Sequence, residues 1–315
     1  MIYLLCSKFE LSEFMFLGLQ NINTILVPIK KHTPFIHRVI KAFHYKVCDK
    51  FYSNYYPSSI TKQLRSITPN DCLIVFGEDS YSFYVLSHLC KDVKHKVAYF
   101  WNPCKDLNKQ KVNRSLSKLV DKPGAIVEYI RSLGFKMATF DRQDSVNYNM
   151  AYFPQFYRLY NQNVSSAIEY DFFFCGRDKG RRNIIEEYKS LLSKIGTCKF
   201  LIIETNCTSD ALGYFEYIKQ IEKTRVICEV VQEGQTGMTI RALEALFLRK
   251  KLITNNSEIS EYDFYHPNNI LILDENTNSD TIENFIRRPY FEINNEIVNH
   301  YTVENLLHNL SKIDL

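Results

Sequence analysis

Glu229-Val-Val-Gln-Glu-Gly-Gln-Thr-Gly-Met-Thr-Ile-Arg-Ala-Leu-Glu-Ala-Leu246, followed closely by Lys250-Lys-Leu-Ile-Thr-Asn-Asn256, is the stretch that decides the fold. The β-branched residues running into Val231 suit a buried strand, and the loop after them holds Gly234, Gly237, Thr236 and Thr239. That loop opens a helix with apolar residues at helical spacing, and a second buried strand follows at once. The first-turn amides of such a helix, around Met238 and Thr239, have no partner inside it. Their N–H groups and the positive end of the helix dipole therefore face any anion nearby. Glu244 follows one to two turns on, where a carboxylate can take the two hydroxyls of a ribose. The same pattern also suits a βαβ unit whose glycines serve only a tight turn.

The loop lacks G-x-G-x-x-G spacing and has no Gly-Lys-Ser/Thr, so neither the dinucleotide fingerprint nor the P-loop describes it. A second segment points to the same chemistry. Tyr170-Asp-Phe-Phe-Phe-Cys-Gly-Arg-Asp-Lys-Gly-Arg-Arg182 begins as an apolar run suited to a strand buried on both faces and breaks at Gly176. Arg177, Lys179, Arg181 and Arg182 then crowd the start of the next helix. Cations there oppose the helix dipole, so helix stability does not account for them, whereas an anion would. Arg177 and Lys179 lead this set, and a solvated basic loop is the alternative.

Together these segments resemble the donor-binding end of bacterial nucleotide-sugar glycosyltransferases of the GT-B fold, the type that builds lipopolysaccharide and capsule. The resemblance is carried by Gln235-Thr-Gly-Met-Thr239, Arg241-Ala-Leu-Glu-Ala245, Leu252-Ile-Thr-Asn-Asn256 and the Gly176-Arg177-Asp-Lys179-Gly loop, and covers about residues 170–275. It implies two Rossmann-like α/β domains facing across a cleft, with the donor diphosphate held by the basic loop. The donor-binding set it implies is Gly176, Arg177, Lys179, Arg181, Gln235, Thr236, Gly237, Met238, Thr239, Arg241, Glu244 and Asn255. Glu261-Tyr-Asp-Phe-Tyr265 resembles a segment after the corresponding strand in related transferases, which would bring Asp263 or Tyr265 to the donor.

No Asp-x-Asp motif is present, so the expected reaction uses no metal and no cofactor, only the nucleotide-sugar as co-substrate. The leaving diphosphate is then stabilised by the basic loop and the helix dipole. An inverting reaction needs a general base at the end of an N-terminal strand. Glu78 and Asp79, after the run Leu73–Phe76, fit best, with Asp141 second; each also suits a helix cap. A retaining reaction would need no such base. Trp101, the only tryptophan, and Asn102 end a strand where they would stack on and hydrogen-bond an acceptor sugar, or simply pack.

The pattern of strands separated by helical segments implies a doubly wound parallel sheet in each half. In the first half strands are expected at Ile2–Cys6, Thr24–Pro28, Asp71–Gly77, Lys96–Asn102, Lys136–Phe140 and Asn149–Tyr157. In the second they are expected at Phe172, Phe200–Glu204, Arg225–Val231, Leu252 and Asn269–Leu273, with two helices closing the chain. The expected domains are residues 1–165, binding the acceptor, and 166–315, binding the donor, with the terminal helix packing back on the first. Asn161–Ser166 reads as the linker.

A length of 315 residues allows two such cores, and a net charge of +4 is too small to argue for nucleic acid. Nine cysteines without a C-x-x-C pair read as reduced and structural. No apolar run approaches the roughly 18–20 residues needed to cross a bilayer, and the N-terminus lacks a signal-peptide pattern, so a cytoplasmic protein is expected. Lys30–Lys46 forms an amphipathic helix pattern with a basic face. It suits either the core or peripheral contact with the inner membrane surface, as for a lipid-linked glycan acceptor. Two rivals to sugar transfer stand: a sugar-nucleotide epimerase of similar fold, and a non-catalytic nucleotide- or glycan-binding partner.

Overall fold

In the computed structural model, the described residues are 1–28, 55–77, 80–104, 123–158, 167–205, 212–231 and 237–313. The chain divides into two compact units: Met1–Pro154 with Glu304–Leu315, and Gln155–Val303.

The first unit runs β1 (Ile2–Lys8), α1 (Glu10–Phe16), β2 (Ile22–Pro28), α2 (Ser58–Arg65), β3 (Cys72–Phe76), α3 (Ser80–Leu89), β4 (His95–Phe100), α4 (Pro123–Ser132), β5 (Lys136–Thr139), α5 (Arg142–Tyr148) and β6 (Ala151–Tyr152). The six strands form one sheet in the order β2-β1-β3-β4-β5-β6, and every pairing is parallel. Parallel strands need crossovers that place helices on the sheet faces, which is why Cys72-Leu-Ile-Val-Phe76 is apolar at every position and buried throughout. The expected strand Asn149–Tyr157 shrinks to two residues. Phe153 still donates its N–H to Thr139 O at 3.0 Å, but Pro154 has no N–H with which to extend the ladder.

The second unit runs β7 (Tyr170–Arg177), α6 (Arg182–Leu192), β8 (Cys198–Ile203), α7 (Tyr214–Glu222), β9 (Thr224–Glu229), α8 (Ile240–Phe247), β10 (Lys251–Thr254), β11 (Ile270–Ile272), α9 (Ser279–Arg287) and α10 (Asn295–His300). A 3-10 turn, Ser257–Glu261, follows β10. The sheet order is β11-β10-β9-β7-β8, again wholly parallel. Its core joins Phe172, Phe174, Ile185, Leu192, Val226, Cys228 and Ile253 from sheet and helices. A last helix, α11 (Val303–Leu310), returns the chain to the first unit. Three helices rather than two therefore end the chain, because Tyr301-Thr302 interrupts the pattern between α10 and α11.

Each sheet begins in its interior: the second strand lies on one side of the first, and all later strands lie on the other. The chain thus reverses direction between β1 and β3 and again between β7 and β9, and ligands of doubly wound sheets bind outside the carboxyl ends of the strands at such a point. Among the described residues no helix is long and apolar enough to cross a membrane.

Candidate anion site at the β7/β9 switch point

β7 delivers its last residues to this edge. Arg177 turns sideways, and its Nη1 donates to Thr205 O at 2.9 Å and Glu204 O at 3.3 Å, beyond the end of β8. The turn that follows is pinned by Thr205. Its hydroxyl donates to Asp178 Oδ1 and accepts from the Lys179 N–H at 3.0 Å, and this hydrogen bond holds the Asp178 carboxyl below its usual range. Lys179 takes a φ of 45° and extends its side chain into the exposed rim. Arg182 is also exposed, 3.7 Å from Glu204 Oε1.

Arg181 occupies the switch point itself. Its Nη1 donates to Val230 O beyond β9, and its Nη2 donates to Arg177 O at 3.1 Å, so one guanidinium ties the ends of β7 and β9. Its Nε is buried and has no hydrogen-bond partner among the described residues. Burial, and then the like charge of Arg241, lower its pKa to about 10. A buried guanidinium N–H without an acceptor costs on the order of 1–3 kcal/mol, which an arriving oxyanion would recover.

Arg241, in the first turn of α8, supports β7 from below this edge. It donates to Cys175 O and lies 5.6 Å over the Phe174 ring. A Cβ on the next residue, Gly176, would stand 2.7 Å from Arg241 Nη2, so a side chain there would push the end of Arg241 aside. Burial opposes the Arg241 charge, but Tyr217, Glu244, Glu229 and Cys175 together outweigh it and raise its pKa.

The start of α8 is fixed by Thr239, expected at the donor, and by Glu229, Thr254 and Glu258, which the sequence reading left without a role. Thr239 is the N-cap, its oxygen accepting the Arg241 N–H at 3.2 Å while its hydroxyl donates to Glu229 Oε1. Glu229, fully buried at the end of β9, takes its second hydrogen bond from Thr254 at 2.5 Å, at the end of β10. Gly237, at φ 85°, donates its N–H to Glu258 Oε2 at 3.0 Å, and its carbonyl accepts from Asn256 Nδ2 at 3.1 Å. Met238 is buried. Asn255 bridges to β9, its Oδ1 accepting the Val231 N–H at 2.7 Å.

Glu244 lies one turn past Arg241 and is completely buried. Tyr214 and Tyr217, both on α7, donate to its two oxygens at 2.9 and 2.6 Å, and Tyr157 O–H meets Tyr214 O–H at 2.7 Å. Burial raises the Glu244 carboxyl to about 7, against the opposing pull of the two phenols and Arg241.

The structure therefore brings Gly176, Arg177, Arg181, Arg241, Thr239 and Asn255 to one sheet edge, while Lys179 stays on its rim. Glu78, Asp79, Gln235, Thr236 and the amphipathic stretch Lys30–Lys46 lie outside the described residues. Asp141 caps α5, accepting the Asp144 N–H at 2.9 Å. Asp263 accepts from Tyr301 O–H at 2.5 Å, and Tyr265 is half-buried beside it in the chain. In the first unit Trp101 is half-buried just after β4, its ring 5.7 Å from Phe16 and 6.0 Å from Phe76, and Asn102 is exposed.

Glu229 and the tyrosine pair were the residues missed. An acidic residue closing an apolar strand run, Val226-Ile-Cys-Glu229, is a readable signal of a buried partner. No local signal joins Tyr214 and Tyr217 to Glu244, because the contact is made between two different helices. No protein-family model matches this chain, and no curated protein matches its sequence.

Proposed function

We propose that this protein is a metal-independent glycosyltransferase of the GT-B class, moving a sugar from a nucleotide-sugar donor to a surface-glycan acceptor of the lipopolysaccharide or capsule kind. The observation that carries the reading is Arg181, whose guanidinium ties β7 to β9 at the switch point while its buried Nε has no acceptor among the described residues. A diphosphate there would receive Arg181 and Arg177 as charge-assisted donors, and the start of α8 would add the positive end of its dipole. Negative charge developing on the leaving nucleoside diphosphate would then meet groups already in place. The general base of an inverting reaction would come from Glu78 or Asp79, which come soon after β3 in the sequence. Trp101 and Asn102 would serve the acceptor.

Incubation with a panel of uridine, guanosine, cytidine and thymidine diphospho-sugars, with and without glycan acceptors, tests this by release of nucleoside diphosphate. Acceptor-dependent release is expected. Isomerisation without acceptor would replace transfer by epimerisation, and binding without turnover would leave a binding module.

A further inference from the structure

Arg181 leaves β7 through a tight turn. Asp178 donates its N–H to Ile203 O at 2.8 Å, just past the last paired residues of β7 and β8, and its carbonyl accepts the Arg181 N–H at 2.9 Å. Lys179 and Gly180, between them, both take positive φ, 45° and 82°, which folds the chain back on itself. An acidic and a basic side chain thus stand at the two ends of one hydrogen-bonded turn, and the Asp178 charge bears on Arg181 and Arg182. A carboxylate so placed is the natural counter-ion of a guanidinium with an unused N–H. Arg181 nevertheless spends its Nη donors on the Val230 and Arg177 carbonyls, and its buried Nε has no acceptor among the described residues.

Thr205 accounts for this. It lies two residues past β8, and its hydroxyl donates to Asp178 Oδ1 while accepting the Lys179 N–H at 3.0 Å. Its carbonyl accepts Arg177 Nη1 at 2.9 Å. β7 lies between β8 and β9 in the sheet, so the two side chains part: the Asp178 carboxylate goes to the β8 side, and the Arg181 guanidinium goes to the β9 side. Neighbouring strands are about 4.8 Å apart, which makes this a separation by more than one contact distance. On the other flank Glu229, next in the chain to the Val230 that receives Arg181, is engaged in the same manner by the hydroxyls of Thr239 and Thr254. We infer that Thr205 is a positioning residue of the anion site: by holding the Asp178 carboxylate on the β8 side of β7, it keeps Arg181 open to the diphosphate.

This rests on Arg181 as the anion-holding residue of the reading above. Without the hydroxyl, the carboxylate is free to cross to Arg181 and compete with the ligand. Calorimetric titration of the full chain with inorganic pyrophosphate reads the effect. Thr205 is exposed, so its substitution leaves the core intact. Thr205→Val should weaken pyrophosphate binding by roughly two- to fivefold, the effect of one partly exposed ion pair set against the ligand. Thr205→Ser keeps the hydroxyl and should bind as the unaltered protein does. Asp178→Asn separates the released carboxylate from a mere change in the shape of the turn. It should raise affinity more in the Thr205→Val background than in the unaltered protein, a coupling that a double-mutant cycle measures. Unchanged binding in Thr205→Val, weakened binding in Thr205→Ser, or an equal effect of Asp178→Asn in both backgrounds overturns the inference. Coupled pyrophosphate binding that nucleotide-sugars fail to displace would sink sugar transfer and leave the Thr205 role standing. Binding displaced by nucleotide-sugars but indifferent to Thr205→Val would do the reverse, and no pyrophosphate binding at all would overturn both.

Discussion

Arg181 and Glu244 are both ionisable groups withdrawn from water, and their opposite situations lead to different measurements. Arg181 has a buried donor with no acceptor among the described residues, so its loss should show in ligand affinity. If a diphosphate lies there, Arg181→Ala should weaken nucleotide-sugar binding by about tenfold or more, the worth of one charge-assisted hydrogen bond, as read by calorimetry. Arg177→Ala should cost less, because its Nη1 is already spent on two carbonyls. Glu244 instead bears on stability. Its folded carboxyl is raised from 4.5 to about 7, so the stability from binding a proton is complete below pH 4.5 and is lost as pH rises through about 7. At 1.36 kcal/mol per pH unit the loss is on the order of 3 kcal/mol. Chemical denaturation from pH 5 to pH 8 should show this fall, and Glu244→Gln should flatten it. An equal slope in both proteins would remove Glu244 as its source.

At the level of elements, the start of α8 is held by a strut. Glu229 receives Thr239 from the helix cap and Thr254 from β10, which fixes the start of the helix against the ends of two strands. Thr239→Ala removes the cap, at about 1 kcal/mol, and leaves a buried carboxylate short of one donor, adding about 1–3 kcal/mol. Thr239→Ser keeps both bonds and should unfold close to the unaltered protein in thermal melts. If alanine and serine behave alike, the strut contributes nothing. Elements of this kind also mark how far sequence reading reaches. Phe172-Phe-Phe174 and Cys72-Leu-Ile-Val-Phe76 declare themselves as strands because burial on both faces demands apolar residues at every position. The loop before α8 declares itself through glycine and threonine chemistry. By contrast, β6 is too short for any periodicity, and α10 buries none of its residues, so no apolar face announces it. The pairing of Glu244 with Tyr214 and Tyr217, and Arg181 with Val230, depends on which strands and helices become neighbours, information spread over separations of 27–49 residues.

At the scale of the whole chain, each unit winds its sheet outward from an interior first strand, but the first unit is not continuous in sequence. It is completed by Glu304–Leu315. Leu306, Leu307, Leu310 and Ile313 are buried there, His95 at the start of β4 lies 3.4 Å from Leu310 O, and Lys136 at the start of β5 donates to Ile313 O. Removing these last residues strips apolar cover from the amino ends of β4 and β5. Each buried leucine lost costs about 2–5 kcal/mol, so a chain ending at Val303 should forfeit most of the first unit's stability, given a typical domain total of about 5–15 kcal/mol. The second unit keeps its own core, built from β7, β9, β10 and their helices. Hydrogen exchange followed by mass spectrometry should therefore find amides of β3, β4 and β5 unprotected in the truncated chain while those of β7 and β9 stay protected. Uniform loss of protection across both sheets would mean that the two units fold as one cooperative body, and retention in both would mean that the returning helix is dispensable.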